Sequence, residues 1–336
     1  MTAESQGAAP PDAFSGARAL VTGGLGFIGS TLAGRLVALG AEVTILDDMF
    51  PEGGANPANI AAFRDRVRVE IADLRDTRAV APLIEGQDYL FSLGARTSHM
   101  GSLADPLADL DVNCRAQLDI LEICRARAPR IAIVFAGTRQ IYGRPDKLPV
   151  EETHPLRPPD PNGVSKMAGE AYHLLYHRIH GISAVSLRLT NTYGPRMRIK
   201  DGRQTFLGLW VRRLLEDAPF EVWGGEQRRD LAFVDDVAEA FLLAAVSPDA
   251  QGRAFNIGGD PSLTLLELAR ILVAASGGGR YEIKEFPPER LKIDIGDYEA
   301  DDGLFRRMTG WRPRVALADG LARTMRFYRD HRGDYF

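Results

Sequence analysis

The 336 residues, 45% hydrophobic and 26% charged, can bury a core without disulfide or metal staples and are too apolar for a disordered chain. Lys plus Arg, 41, nearly balance Asp plus Glu, 45, and the net charge of −4 argues against a nucleic-acid partner. Two cysteines, Cys114 and Cys124, are too few for a disulfide framework or a thiolate metal site, so no metal is expected and a reducing cytoplasm fits.

Residues 1–15 hold neither a basic nor an apolar leader region and read as a disordered tail. Charged or glycine residues interrupt every hydrophobic run, which excludes a membrane-spanning helix. Short Val/Ile/Leu-rich runs at 17–22, 42–46, 67–71, 89–93 and 131–135 alternate with stretches of helical spacing, the pattern of βαβ units around a parallel sheet. Residues 106–128 read as one helix with Asp105 as N-cap and with Leu107, Leu110, Leu118, Leu121 and Cys124 on one face, broadened by Ile120 and Ile123. A second helix, 163–180, is expected to turn Met167, Ala171, Leu174 and Leu175 inward. Both are apolar on more than one side, which fits either a homodimer contact or cover by the chain itself. After a strand at 183–188 the regularity breaks into proline-bearing loops and helices at 205–216, 234–246 and 265–275. The division expected is a first domain at 16–190 and a smaller, irregular lobe at 191–336 whose elements return in part to the first domain.

The strongest motif is TGGLGFIGS at 22–30, directly after a strand and directly before a helix. Glycine serves such a turn in three ways: a bend too tight for a Cβ, close approach of backbone to a pyrophosphate, and tight helix-to-strand contact. Gly23, Gly26 and Gly29 fill those places, with Phe27 and Ile28 opening the helix whose unpaired amides would face the phosphates. Asp47, about 20 residues further on at the end of the second strand, is placed to accept hydrogen bonds from adenosine ribose hydroxyls and to repel a 2′-phosphate. The cofactor expected is therefore NAD. The fold expected is α/β: a Rossmann-type doubly wound parallel sheet with a smaller C-terminal substrate lobe.

With these residues in place, the chain resembles the extended short-chain dehydrogenase/reductase family, in its nucleotide-sugar epimerase and dehydratase branch, over 18–313. ADLRD at 72–76 is similar to the family's adenine-contacting element, through Asp73 and Leu74. SLGAR at 92–96 resembles the loop beneath the cofactor, with Leu93 and Ala95, and Asn113 matches an asparagine of the next helix. LRLTNTYGPR and QRRDLAFVDD are further matches, in which the resemblance gives Asn191 and Arg229 to the diphosphate of a nucleotide-sugar substrate. Arg290 looks like a closing substrate element, and Arg196 and Arg228 would add to a local arginine cluster.

The family's chemistry is oxidation of a sugar hydroxyl by NAD and later reduction, using a Ser or Thr, a Tyr, and a Lys four residues after the Tyr. Here the resemblance places Thr138 and Lys166 in that apparatus, but four residues before Lys166 stands Asn162. An asparagine can hydrogen-bond a hydroxyl and cannot exchange a proton near neutral pH. Three explanations stand: a relocated base, a residue engineered to trap substrate, or a protein that binds NAD without turnover; the natural variant with a relocated base is the reading adopted. His99, on the loop after the fourth strand, is the first replacement, because histidine ordinarily titrates near neutral pH; Tyr142 and Lys166 itself are the others. Dehydratases of the family place Asp and Glu directly after the threonine, where this chain has Arg139 and Gln140. Dehydration is thereby disfavoured, and Arg139 could instead meet a uronate carboxylate. The expected activity is C4 epimerisation of a nucleotide sugar; the alternatives are a dehydratase or net oxidoreductase, and a silent NAD- or sugar-nucleotide-binding protein. Glu170, His173 and His177 share one helix face, expected to be a solvated face rather than a metal site.

Overall fold

The computed structural model describes residues 7–10, 12–202, 205–259 and 261–336. Its centre is a seven-stranded sheet in which every pairing is parallel. Six strands come from residues 18–189: β1 (Arg18–Thr22), β2 (Glu42–Asp47), β3 (Val67–Ile71), β4 (Tyr89–Ser92), β5 (Ala132–Thr138) and β6 (Ser183–Leu189). The seventh, Ala254–Ile257, pairs with β6 at one edge, and the order runs from it through β6, β5, β4, β1 and β2 to β3. Strand order thus reverses between β1 and β4, and the crevice beyond their carboxyl ends is where such sheets bind ligands.

Alternation along β1 shows the double winding. Ala19 and Val21 face a core completed by α1 (Phe27–Ala38) and a later helix, while Leu20 faces the opposite core built with α2 (Thr77–Ile84) and the helices after β4. Thr22 Oγ1 accepts the amides of Leu93 and Gly94 at 3.1 and 3.0 Å, so the ends of β1 and β4 are tied together at the crevice.

Three expectations need correction. The helix expected at 106–128, preceded by α3 (His99–Ala104), is present from the Asp105 cap to Arg127, but it is α4 (Pro106–Leu110) and α5 (Ala116–Arg127) joined by a π turn at Asp111–Arg115. A π turn takes an extra residue and rotates the face on either side of it. Ile120, Leu121 and Cys124 are therefore buried while Leu107 is 72% exposed, and Asn113 points inward from the π turn. The helix α6 (Pro161–His180) turns a polar face inward: Asn162, Ser165, Lys166, Glu170 and His173 are buried and Ala171 is exposed. Apolar periodicity cannot see this face because its polar groups are paired within the fold. Glu170 takes a bidentate ion pair from Arg188 and a hydrogen bond from Ser186, and His173 stacks on Phe135 at 4.5 Å. Glu170 and His173 are thus no solvated face. Finally, residues 1–6 and 11 of the expected tail lie outside the described residues, but Ala9 and Phe14 are buried, the latter against Tyr89 at 4.9 Å.

The C-terminal half contributes a separate core around α7 (Phe206–Leu215), α8 (Val234–Val246), α9 (Leu265–Ala275) and the helix Leu317–Asp330. Within it, Tyr281–Lys284 pairs in parallel with Phe220–Trp223. α8 also packs directly on α1 on one face of the sheet, joining this half to the first core.

Candidate functional site

The crevice is a cleft of about 650 Å³ at the carboxyl ends of β1, β2, β4 and β5. Its floor is the glycine turn. Gly23 has φ +68°, and a Cβ there would stand 2.9 Å from the Gly94 amide nitrogen; at Gly29 it would stand 2.2 Å from the Gly23 carbonyl oxygen. α1 starts at Gly26 with no side-chain cap and no acidic residue in its first turn, which leaves its positive end and open amides toward the cleft. Phe27 and Ile28 line this end as well. Beside it, Asp47 accepts the Leu25 amide at 3.1 Å and the Met49 amide at 3.0 Å. Burial pushes its carboxyl up, and the two amides pull the other way. Asp73, Leu74, Leu93 and Ala95 complete this half of the wall; Asp73 is paired with Arg75 at 2.5 Å, and that hydrogen bond holds its carboxyl below the usual range. A glycine cradle with no room for a Cβ, an uncapped helix start and a carboxylate at the second strand fit a dinucleotide.

At the other end, Thr138, Lys166, Asn162, His99 and Asn191 share the wall. Lys166 Nζ donates to the Ala136 carbonyl at 3.0 Å and lies 4.8 Å from the Phe135 ring centroid. Burial lowers its pKa to about 8, with Asp109 acting in the opposite direction. Thr138 Oγ1 accepts the Gln140 amide at 3.2 Å, its hydroxyl proton remaining free for another acceptor.

Asn162 is bound into the protein. Its Nδ2 donates to the Arg96 carbonyl at 2.8 Å and to Asp109 Oδ2 at 2.9 Å, and its backbone amide donates to Ser102 Oγ at 3.2 Å. The same Ser102 hydroxyl donates to the His99 carbonyl at 2.7 Å, while Asn113 grips the Arg96 backbone from both sides, accepting its amide and donating to its carbonyl. The start of α6 therefore pins the segment 96–102 at two points, and His99 lies between them. Two residues before Asn162, the α6 N-cap Asp160 brings Oδ2 to 3.0 Å from His99 Nδ1, an ion-pair distance reached outside hydrogen-bond geometry. Burial raises the Asp160 carboxyl, but His99 and the Gly163 and Gln140 donors outweigh it and leave the group below its ordinary value.

Not every expected residue reaches the cleft. Tyr142 is fully buried, donating to Asn256 Oδ1 at 2.7 Å and accepting from Arg188 at 2.6 Å, and burial raises its pKa to about 12. It is a packing residue. Arg229 turns away to Asp294 at 2.8 Å and the Gly296 carbonyl at 2.6 Å; Arg290 lies over Trp223 with 4.9 Å to the centroid; neither lines the cleft. Arg139 stands behind Asn191, donating to its Oδ1 at 2.8 Å. Arg196 reaches Thr31 and Arg228 reaches Ser262, so the expected arginine cluster resolves into separately partnered side chains. Asp109, 1% exposed and in the cleft wall with no partner for Oδ1 among the described residues, escaped the sequence reading, since a lone aspartate on a short helix carries no pattern.

Comparison with known proteins agrees with this architecture. The chain is 33% identical to a UDP-glucose 4-epimerase of Mycolicibacterium smegmatis over 315 residues, 93% of this chain and 99% of that one. A UDP-glucose 4-epimerase from Thermus thermophilus, solved with NAD, superposes with a TM-score of 0.82 at 31% identity, covering 93% of this chain and 99% of that one. A dTDP-glucose 4,6-dehydratase from Streptomyces venezuelae, also solved with NAD, gives 0.85 at 30% identity over 94% and 98% of the two chains. The family model described as NAD dependent epimerase/dehydratase matches residues 19–258. The chain belongs to the NAD dependent epimerase/dehydratase family, and NAD is the cofactor that its glycine cradle and Asp47 suit.

Proposed function

We propose that the protein is a nucleotide-sugar C4 epimerase in which His99, oriented by Asp160, takes the proton-transfer role of the missing tyrosine. The observation that carries this is the contact of His99 Nδ1 with the buried Asp160 carboxylate, in the same wall as Thr138 and Lys166. A small rotation of the imidazole would bring Nδ1 into hydrogen-bond geometry with this carboxylate, which favours the tautomer with its proton there and leaves Nε2 to accept a proton from a sugar hydroxyl. The free proton of Thr138 supplies a hydrogen bond that orients the sugar oxygen. Lys166, buried and charged at neutral pH, is placed to hold ribose hydroxyls of the cofactor. Gly23, Gly26, Gly29 and Asp47 would hold the pyrophosphate and the adenosine ribose, and Asp73 and Leu74 the adenine. When bound, NAD supplies the oxidation of the sugar carbinol and its later reduction.

Epimerisation is favoured over dehydration because the two positions after Thr138 hold no acid and are occupied. Arg139 is bonded to Asn191, and Gln140 donates to Asp160 at 2.8 Å. The protein is also proposed to be a homodimer, since α3, α4 and α6 leave Leu103, Leu107, Leu110 and Val164 exposed on adjoining elements; sedimentation equilibrium giving a monomer at micromolar concentration would refute that.

Incubation with UDP-, GDP-, dTDP- and CDP-sugars in D₂O, followed by NMR, tests the activity. Interconversion of C4 epimers without uptake of solvent deuterium at carbon is expected. His99→Ala should abolish turnover while NAD remains bound, and full activity in that variant would remove His99 from the mechanism.

A further inference from the structure

Arg139 carries a charge that the fold does not balance. It follows Thr138 at the end of β5, and its guanidinium packs on Tyr298 with 5.3 Å from Cζ to the ring centroid. Its one hydrogen bond among the described residues goes to the neutral amide of Asn191. The neighbouring guanidinium, Arg229, has its own carboxylate in Asp294. The carboxylate of Asp230 also acts on Arg139, but it is fully buried and accepts the amides of Gly259 and Ala300, and burial raises its pKa to about 7. Burial and the charge of Arg229 lower the Arg139 pKa to about 10, which Tyr298, Asp230 and Asp294 only partly oppose.

Three buried polar atoms of this cluster have no partner among the described residues: Arg139 Nη1, Asn191 Nδ2 and the Tyr298 hydroxyl. All three can donate a hydrogen bond. Buried donors around an uncompensated cation are costly to leave unmade, and an anionic acceptor answers both the donors and the charge. Asn191 lines the cleft with Thr138 while Arg139 and Tyr298 stand behind it, so the cluster adjoins the place where the reacting sugar would lie and is reached from there past the Asn191 amide. We propose that Arg139, Asn191 and Tyr298 form a carboxylate pocket that selects a nucleotide uronic acid over the neutral hexose. The inference rests on the nucleotide-sugar reading above and names its substrate class. A guanidinium beside a primary amide offers two N–H donors to the two oxygens of one carboxylate.

The same chemistry would suit a phosphate, and the test separates the two sources. The NAD-loaded, full-length protein is titrated calorimetrically with UDP, UDP-glucose and UDP-glucuronate, and with GDP, GDP-mannose and GDP-mannuronate. In one nucleotide series the uronate is expected to bind at least tenfold more tightly than the neutral sugar, and Arg139→Gln should reduce that ratio below twofold. Equal affinity for acid and neutral sugar, or a ratio that survives the substitution, overturns the pocket while leaving the nucleotide-sugar reading intact. An equal loss of affinity for the bare nucleoside diphosphate in Arg139→Gln assigns the arginine to the diphosphate and likewise overturns it. Should no member of either series bind, the substrate class itself falls, and the pocket with it. Because Arg139 is buried, Tyr298→Phe, which removes a single hydroxyl, provides a second test: the ratio should fall at least threefold, and an unchanged ratio counts against the pocket. Removal of an unbalanced cation should also leave ligand-free Arg139→Gln at least as heat-stable as the parent, and a fall in melting temperature above 3 °C would show that the arginine is already satisfied.

Discussion

Replacing Asn162 by alanine tests whether this residue has become a structural tie. The substitution removes the hydrogen bond to the Arg96 carbonyl, worth about 1 kcal/mol net, and the one to the Asp109 carboxylate, worth about 1.5–3 kcal/mol because the acceptor is charged. Asp109 is 1% exposed and its Oδ1 has no donor among the described residues, so the variant leaves both oxygens of a buried carboxylate without a donor there. The expected loss is about 3 kcal/mol. For 336 residues unfolding with an entropy of about 0.7 kcal/mol/K, that corresponds to a melting temperature lower by about 4 °C. Urea unfolding of the single variants and of Asn162→Ala/Asp109→Ala completes a double-mutant cycle. In the Asp109→Ala background the asparagine should be worth only its bond to Arg96, about 1 kcal/mol, leaving a coupling of about 2 kcal/mol. A loss below 0.5 kcal/mol in the single variant, or an undiminished loss in the Asp109→Ala background, would refute the reasoning.

The same tie makes Asn162→Tyr, which supplies the tyrosine that the resemblance leads one to expect, an expected loss rather than a gain. A phenol cannot give both hydrogen bonds that Nδ2 now makes, so kcat should not rise, and a sharp increase would mark the native residue as a disabled catalyst instead. At the phosphate turn, Gly29→Ala forces a methyl to within 2.2 Å of the Gly23 carbonyl oxygen, and NAD affinity measured by fluorescence titration should fall at least tenfold. His173 supplies a pH dependence. Burial, aided by the charge of Lys166, lowers its pKa to about 4, so the folded protein keeps it neutral where the unfolded chain, with an ordinary histidine pKa near 6.5, binds a proton. The stability present above 6.5 is lost as pH falls toward 4, by up to about 3 kcal/mol. His173→Leu should flatten the urea-midpoint profile over that interval relative to the parent, and parallel profiles would contradict the assignment.

The half of the cleft lined by the glycine turn was legible in the sequence because dinucleotide chemistry demands residue types at fixed intervals. The glycines of 22–30 and Asp47 are separated by one strand–helix–strand unit, and the structure brings them together through the β1–β2 pairing. α8 and α9 were likewise read to the residue, since each begins where an apolar 3.6-residue period begins. The interior face of α6 was not legible, because buried Glu170, His173 and Lys166 owe their places to Arg188, Phe135 and the Ala136 carbonyl, partners distant in sequence. The π turn at Asp111–Arg115 is a second case: a single extra residue shifts the face, and the apolar spacing on either side gives no sign of it. Arg229 illustrates a different limit. A motif match fixes its place in the chain, but Asp294, far along the sequence, decides where its side chain points.

We propose that Asn162 and His99 exchange roles across one short stretch of helix. In the usual arrangement a tyrosine on α6 would present its hydroxyl to the sugar, four residues before the lysine. Here the side chain at that position is shorter and faces the loop after β4, where its amide holds the Arg96 carbonyl while its backbone holds Ser102. His99 lies between those two anchors, so the contacts that use up Asn162 are the ones that fix the loop carrying the candidate base. Asp160, which caps the same helix through the Gly163 amide at 2.7 Å, adds the third contact by meeting the imidazole itself. A loop fastened at both ends and oriented by a buried carboxylate meets the positional demand that proton transfer makes on a base, a group held within hydrogen-bonding reach before the substrate arrives. Loss of the phenol need not therefore mean loss of activity. On this proposal Asn162→Ala should lower kcat by freeing His99 and leave the NAD affinity, proposed to be set at the glycine cradle across the cleft, within twofold of the parent; an unchanged kcat would separate the tie from catalysis.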